Sequence, residues 1–280
     1  KQYSGLMYLF GRVFASGARL YMAAIAISMI LFGDIAATHV VISVLIIASC
    51  GLLYTVYGGI RSVIYSDVLQ CAIYVGAAMA VVYFLYAAIP ADFSTIVKAL
   101  SEPSPGAESK LTFFHFDLDF SSKGVFNFWS VITGFVLLNI AAFGLDQDMT
   151  QRVLTCKNAR EGSKAMLYSV LMVIPVMLIF ISIGLLLFIF YDRPDIMNNG
   201  IASAIVPSFK GESVTIFMYY VLNEIPAGIK ALVTVGIIAA ALSTLNSGLN
   251  SMSSVIVQDL YRPWVVRRKH KVSDLHYVKA

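Results

Sequence analysis

GIIAAALSTLNSGLNSMSSVIVQDLY, residues Gly236–Tyr261, joins the end of an apolar run to a series of regularly spaced polar residues. Its first half ends a long apolar run and therefore belongs inside a bilayer. Polar residues recur in it at steps of three and four, which puts them in one stripe along a helix: Ser243, Thr244, Ser247, Asn250, Ser251 and Ser254, with Asn246 at the edge. The opposite face is apolar: Leu242, Leu245, Leu249, Met252 and Ile256. Because lipid cannot solvate hydroxyl and amide groups, the stripe must meet protein, water or an ion.

Two interpretations of this polar stripe stay open at the level of spacing. Serine, threonine and small residues on membrane helices often serve close helix packing or bond to their own carbonyls. Alternatively, a set of oxygen donors without Cys or His suits a hard, weakly held cation such as Na⁺. The stripe runs on to the polar end at Asp259, and that length favours a hydrated track over packing alone.

Composition defines the class of protein. The chain has 280 residues, of which 59% are hydrophobic and 13% are charged. A soluble domain would be nearer half apolar and a quarter charged, so this is an integral membrane protein. The chain starts at Lys1 without Met and enters an apolar helix at once, so we expect it to be an internal piece of a longer protein.

Apolar runs of about 20 residues, the length that spans a bilayer, predict an all-α fold with about six transmembrane helices in a single membrane domain over residues 1–280. The predicted spans are Gly5–Phe32, His39–Tyr57, Val63–Ile89, Val125–Gly144, Ala165–Tyr191 and Ala227–Val257. A tight turn is expected at Gly58-Gly59, and short helices are expected at Phe93–Leu100 and around Val214–Leu222.

The charges of the connecting loops predict the topology. The outer loops 90–124 and 192–226 carry more acid than base, whereas the opposite side holds the basic loops and the basic tail 262–280. By the positive-inside rule the basic side is cytoplasmic. We therefore expect a multi-pass membrane protein with both ends of this segment in the cytoplasm; the family resemblance described below implies the bacterial inner membrane.

Three polar residues in apolar runs have a functional and a structural interpretation. Asp67 is a carboxylate in an apolar run, which is typical of a functional site, or else a helix N-terminal acid near the interface. Arg19 either snorkels to the inner surface or faces a cavity. Asn139 either braces neighbouring helices or hydrogen-bonds a substrate. Spacing does not decide between these alternatives.

Other function classes lack their sequence signals. The sequence has no Gly-rich phosphate loop, no Ser/His/Asp set and no Cys/His cluster, so it does not indicate an enzyme. Topology explains the basic tail, so we expect no nucleic-acid partner. The expected partners are a small-molecule substrate and the lipid bilayer, with no obligate protein partner.

Three segments, read together, resemble one family: YTVYGGIRSVIYSDVLQ, GLDQDMTQRVLTCKNAREGSKAML and AAALSTLNSGLNSMSSVIVQDLYRPW. They are similar to the sodium/solute symporters, a family that includes bacterial sodium/galactose, sodium/proline and sodium/sialic acid transporters. The resemblance implies a LeuT-type fold of two inverted five-helix repeats, with this chain supplying core helices three to eight. It also implies that Na⁺ is the coupled ion.

The resemblance further implies ion ligands. The sodium site shared across the family matches the Ala240 carbonyl and the hydroxyls of Ser243 and Thr244. A second sodium site, found in sialic acid transporters of the family, matches Asp67, Ser243 and Ser247. Asn246 stands there in place of another serine, and its amide oxygen can still bind Na⁺.

The same resemblance bears on the substrate. Asn139 matches a sugar-contacting asparagine, but Ala142 replaces the tyrosine that gates sugar, which argues against a hexose. Arg19 falls near the position that clamps the carboxylate of sialic acid, where a guanidinium can form two parallel bonds. We therefore expect a Na⁺-coupled symporter for an organic anion such as sialic acid or another carboxylate. The alternatives are a sodium/sugar or myo-inositol symporter and the membrane sensory domain of a histidine kinase.

Overall fold

The computed structural model describes residues 2–102, 109–112, 114–116, 127–144, 146–197, 208–209, 212–213, 215–268, 273 and 276–277. The side chains of residues 54, 57–61, 208–209 and 212–213 lie outside this description. All structural statements below refer to the described part of the chain. The beginning of the predicted fourth span and parts of the two outer loops and of the basic tail fall outside it.

Helices dominate the described chain. Its first part contains α1 (Gln2–Phe32), α2 (Ala37–Ala88), α3 (Phe93–Ser101), α4 (Phe128–Ser130), the π-helical segment Val131–Phe135 and α5 (Val136–Gly144). Its second part contains α6 (Gln147–Leu154), α7 (Ala159–Asp192), α8 (Pro194–Met197), α9 (Ile216–Asn223), α10 (Ala227–Val255), the π-helical segment Ile256–Tyr261 and α11 (Arg262–Arg267). Two-residue strands, β1 (Ser208–Phe209) and β2 (Glu212–Ser213), pair with each other.

Every predicted apolar run is helical where the structure describes it, apart from the end residue Ile89 and the residue Asn127, but the helices differ in length. Four of them are long and apolar enough to cross a membrane: Gln2–Phe32, Ser62–Ala88, Ala159–Asp192 and Ala227–Arg267. A fifth span results if Phe128–Gly144 and Gln147–Leu154, which meet at a bend of 48°, are taken together. The remaining predicted span is represented by Ala37–Leu53, a shorter apolar helix. By length and composition, four to five spans therefore stand where about six were predicted.

The turn between α1 and α2 is built from one glycine and one acidic residue. The Gly33 amide donates to the Met29 carbonyl at 3.0 Å, and Gly33 has a φ of 77°, which glycine adopts without a steric penalty. Asp34 then accepts the Ala36 amide at 3.1 Å through Oδ1. The same oxygen lies 2.6 Å from His39 Nδ1. This turn ends the first helix and directs the second back into the apolar layer.

Helix α2 is too long to be one straight span. Thr55 bonds to Asn246, and Asp67 bonds to Ser243, only one helical turn away on α10. A straight helix would separate Thr55 from Asp67 by about 18 Å along its axis. The axis of α2 must therefore bend between these two residues. The turn predicted at Gly58-Gly59 falls in this interval, on residues whose side chains lie outside the described part.

The chain divides into two compact units. The first comprises Lys1–Gly76, Phe209–Glu212 and Pro226–Ala280. Here α1 packs along α10, and the buried apolar core joins α1, α2 and α10: Ala24, Ile27, Val40, Ile47 and Leu245. Leu242 and Leu249 pack against this core. The apolar face of α10 that lies opposite the polar stripe therefore forms the centre of this unit.

The second unit comprises Ala77–Ser208 and Ser213–Ile225. Two of its short helices, α3 and α9, agree with those predicted at Phe93–Leu100 and around Val214–Leu222, although Val214 itself is outside the described residues. Helix α9 packs on the end of α7, where the rings of Phe190 and Tyr220 meet edge to face with centroids 5.4 Å apart.

Arg193, the residue that follows α7, forms hydrogen bonds with the C-terminal end of α3. Arg193 forms a two-pronged bond to Asp195 at 2.9 and 2.8 Å and donates to the Ala99 carbonyl at 2.8 Å. The hydrogen bond from Arg193 holds the pKa of Asp195 below its usual value, because it stabilises the charged carboxylate. The carbonyl groups at the C-terminal end of α3 thus accept hydrogen bonds from the Arg193 guanidinium.

Candidate functional site

The candidate site centres on the contact between Ser243 on α10 and Asp67 on α2. Ser243 Oγ donates to Asp67 Oδ1 at 2.7 Å, an ordinary distance for a hydrogen bond from a hydroxyl to an oxygen. Both residues are half-buried. The stripe periodicity of α10 turns Ser243 toward α2, and the bend of α2 carries Asp67 to it. The structure thus brings together two residues, 176 positions apart, that the sequence assigned to ion binding.

The other members of the predicted shared sodium site lie next to this pair. Thr244 Oγ1 donates to the Ala240 carbonyl at 3.2 Å, and Ala240 is exposed. The hydroxyl of Thr244 therefore stays with its own helix, whereas the neighbouring hydroxyl of Ser243 points across to α2. A carbonyl, two hydroxyls and a carboxylate thus lie within about one helical turn of α10.

Asn246 and Ser247, predicted for a second ion site, have other hydrogen-bond partners. Asn246 is 1% exposed, and its Oδ1 accepts the Thr55 hydroxyl at 3.2 Å. Within the described residues its Nδ2 has no partner. Ser247 is buried and donates to the Thr244 carbonyl at 3.3 Å. The structure connects Asp67 to Ser243, and it connects Asn246 to Thr55 instead of to the carboxylate.

Helix α1 covers the lower half of the polar stripe, meaning the part that follows Ser247 in the chain. Ser251 is 0% exposed, donates to the Gly248 carbonyl at 3.0 Å and accepts the Tyr8 hydroxyl at 3.0 Å. A Cβ on Gly248 would lie 3.1 Å from Ser16 Oγ, so the two helices are in close contact there. Below Ser247 the stripe thus serves helix packing, which is the structural interpretation of such residues.

The two predicted substrate residues are not brought together by any described contact. Arg19 is exposed on α1, one turn from the residues that pack on α10. Asn139 is half-buried on α5, and its Nδ2 donates to the Phe135 carbonyl at 2.8 Å. Arg19 belongs to the first unit and Asn139 to the second. The Nδ2 group of Asn139 thus bonds within its own helix, and both the brace and the substrate contact stay predictions.

Sequence reasoning missed three residues that shape this region: Gly51, Thr55 and Tyr8. A Cβ on Gly51 would lie 2.7 Å from Leu245 Cδ2 and 3.1 Å from Asn246 Oδ1. Gly51 and Thr55 are one turn apart, a small residue followed by a hydroxyl at helical spacing, which is a recognisable helix-contact signal. Tyr8 gives no such signal, because a single tyrosine near a helix end is common at membrane interfaces.

The donor chemistry selects the kind of ion. In the described ranges no group of three or more His, Cys, Asp or Glu side chains could hold a metal ion. The residues that do converge offer hydroxyl and carbonyl oxygens with one carboxylate. Such oxygen donors suit hard cations and not the softer transition metals.

Several apolar helices around one polar stripe, with a carboxylate inside the apolar layer, are typical of membrane transporters. The model of the sodium:solute symporter family matches residues 8–280. The chain therefore belongs to the sodium:solute symporter family, and the resemblance noted in its sequence is confirmed.

Relatives of several kinds are similar to the chain. The sodium/sialic acid symporter of Proteus mirabilis is 28% identical over 224 residues, which cover 79% of this chain and 41% of that protein. The sodium/glucose cotransporter of Vibrio parahaemolyticus is 25% identical, over 88% of this chain and 44% of that protein. A bovine sodium-coupled monocarboxylate transporter is 23% identical, over 96% of this chain and 40% of that protein. The chain thus spans less than half the length of these relatives.

A solved structure shares the fold. It is described as the substrate-bound outward-open state of a Na⁺-coupled sialic acid symporter. The likeness has a TM-score of 0.74 at 23% identity and covers 97% of this chain and 52% of the other. The all-helical, LeuT-type fold predicted from the sequence is confirmed.

Proposed function

We propose that this chain forms the ion-binding part of a Na⁺-coupled symporter that imports a small organic anion. Family membership supports the coupling to Na⁺, and the oxygen donors of α10 supply suitable ligands. The observation that carries the proposal is the 2.7 Å bond from Ser243 to Asp67. A carboxylate in an apolar run is costly without a partner, so it is expected where a cation binds.

The first proposed ion site uses the Ala240 carbonyl with the hydroxyls of Ser243 and Thr244. A hydroxyl oxygen has two lone pairs, so each can accept a cation while its proton stays bonded elsewhere. Thr244 donates to the Ala240 carbonyl at 3.2 Å, and Ser243 donates to Asp67. Na⁺ would occupy the remaining lone pairs without breaking either bond.

The second proposed site uses Asp67 with Ser247 and Asn246. Asp67 supplies the charge that offsets a bound cation. Ser247 keeps lone pairs free, since its hydroxyl is the donor in its bond to the Thr244 carbonyl. The Oδ1 of Asn246 already accepts the Thr55 hydroxyl. An amide oxygen has two lone pairs, so Oδ1 can still accept a cation beside this bond.

An organic anion is the proposed substrate because Arg19 carries a charge well inside an apolar helix. A guanidinium at that depth is expensive unless it meets water or an anion. Its fork matches a carboxylate with two parallel bonds. Relatives named for sialic acid and for monocarboxylates agree with this substrate class. Asn139 is the second proposed substrate contact, through its Oδ1, because its Nδ2 is bonded to Phe135.

A sugar is the second candidate substrate, favoured by the similarity to the Vibrio sodium/glucose cotransporter.

In either case we propose an inner-membrane location with both ends of the segment in the cytoplasm, as the basic loops indicate. Each Na⁺ that enters across 100 mV supplies about 2.3 kcal/mol, before its concentration gradient is counted. One ion is therefore enough to drive accumulation.

The test is uptake of labelled sialic acid by the full-length protein in proteoliposomes, with Na⁺ or K⁺ outside. We expect Na⁺-dependent uptake that sialic acid and lactate inhibit and that the sialic acid methyl ester does not. Arg19→Lys keeps the charge but loses the two-pronged geometry, so binding should weaken by about 1–3 kcal/mol. Arg160→Lys, at an exposed position of α7, is the matched control. Full competition by glucose, or wild-type affinity in Arg19→Lys, would contradict the anion proposal.

A further inference from the structure

We infer that Gly51, Thr55 and Asn246 form a helix clamp whose function is to hold Ser243 opposite Asp67. The clamp is the contact between the first arm of α2 and α10, and it rests on the proposed ion site. Gly51 and Thr55 are the positioning residues: they hold Asn246, and with it the ion ligands of α10, without binding the ion themselves.

The geometry of the clamp is tight. Thr55 Oγ1 donates to Asn246 Oδ1 at 3.2 Å, and Asn246 is 1% exposed. Gly51 lies so close to α10 that a Cβ there would come within 2.7 Å of Leu245 Cδ2. Leu245 itself belongs to the buried core that joins α1, α2 and α10. The first arm of α2 is thus fixed to α10 by one polar bond and one close backbone approach.

The clamp acts on the ion site because the Thr55–Asn246 contact and the Asp67–Ser243 contact both join α2 to α10. Asn246 follows Ser243 by one turn of α10, and the Thr55 and Asp67 contacts lie on the two sides of the bend in α2. A rotation or slide of α10 at Asn246 would therefore move Ser243 away from Asp67. A buried amide resists such motion, because losing its partner leaves a polar group unsatisfied.

The hydrogen bonds of Asn246 are compatible with both roles. Its Oδ1 accepts the Thr55 hydroxyl, and within the described residues its Nδ2 has no partner. An amide oxygen has two lone pairs, so Oδ1 can keep the Thr55 bond and still offer a lone pair to a cation. Gly51 and Thr55 are not among the proposed ion ligands, and they fix the position of Asn246 and, one turn away, of Ser243.

The test measures Na⁺ binding by the thermal stabilisation of the purified full-length protein in NaCl against KCl, which requires no transported substrate. Thr55→Val keeps the shape but removes the donor. We expect the Na⁺ concentration for half-maximal stabilisation to rise about threefold to tenfold, the effect of one hydrogen bond. Thr55→Ser restores the hydroxyl and should return the value to within about twofold of wild type. Thr38→Val, at an exposed position of α2, is the control.

A second measurement reports the helix contact directly. Spin labels at two exposed positions, Val56 on α2 and Ser253 on α10, give the distance distribution between the helices. We expect Thr55→Val to broaden it and Thr55→Ser to restore it. An unchanged Na⁺ requirement in Thr55→Val, or no rescue by serine, overturns the clamp. If Asp67→Asn changes the Na⁺ requirement and Thr55→Val does not, only the clamp fails. If neither does, the proposed ion site fails as well.

Discussion

Replacing Ser243 by alanine removes the hydroxyl that donates to Asp67 Oδ1 at 2.7 Å. We expect the variant to bind Na⁺ more weakly for two reasons. It loses one oxygen ligand, and it leaves the carboxylate without a donor that orients it. The two residues should therefore act as a unit, so that replacing both is less harmful than the sum of the single effects.

The size of the effect follows from the geometry of the bond. Hydrogen bonds to charged groups contribute about 1.5–3 kcal/mol to a folded protein. Both residues are half-buried, so solvent screening brings the expected value to about 1–2 kcal/mol. At 1.4 kcal/mol per factor of ten, Ser243→Ala should raise the Na⁺ concentration for half-maximal binding by about fivefold to thirtyfold.

The assay is a double-mutant cycle of Ser243→Ala and Asp67→Asn, read out by Na⁺-dependent thermal stabilisation of the full-length protein. We expect an interaction free energy above about 0.5 kcal/mol, the scale at which contacting residues depart from additivity. Ser253→Ala, an exposed serine of the same helix, is the control. Additive effects of the two variants would refute the coupling, even if each variant alone weakened Na⁺ binding.

Two further predictions concern the ion site and the outer end of α7. Thr244→Val should raise the Na⁺ requirement, whereas Thr234→Val, which removes an equivalent bond to the carbonyl four residues earlier, should not. Because Arg193 lowers the pKa of Asp195, their bond contributes stability above the unfolded pKa of about 3.9, and that contribution is lost as pH falls through the lower folded pKa. The thermal midpoint of Asp195→Asn should therefore fall less than that of wild type between about pH 4 and pH 2; an equal fall would contradict this assignment.

The helices could be predicted from the sequence because the patterns that indicate them are local. Apolar runs of bilayer length and the three-and-four spacing of polar residues depend only on neighbours along one helix. The polar stripe and the apolar face of α10 therefore lie where the spacing predicts, with Ser251 buried under Tyr8 and Leu245 in the core.

Partners across helices were not predictable in the same way. The family resemblance assigned Ser243 and Asp67 to ion binding, but nothing in the spacing indicates that they bond to each other. The resemblance assigned Asn246 to ion binding as well, and nothing in the spacing indicates that its Oδ1 accepts the Thr55 hydroxyl. Which atom of a polar side chain remains available depends on the residue that faces it, and that residue lies 191 positions away in sequence.

The polar stripe of α10 divides at Ser247 into two parts that make different contacts. On the Ala240 side of Ser247, Ser243 bonds to Asp67, and Thr244 lies beside an exposed Ala240. Below it, Ser251 is fully buried under Tyr8, so the lower stripe binds helix α1. The packing interpretation therefore holds for the part of the stripe around Ser251, and the ion interpretation stays a prediction for the part around Ser243. An ion leaving along the lower stripe would first have to break the contact between α1 and α10.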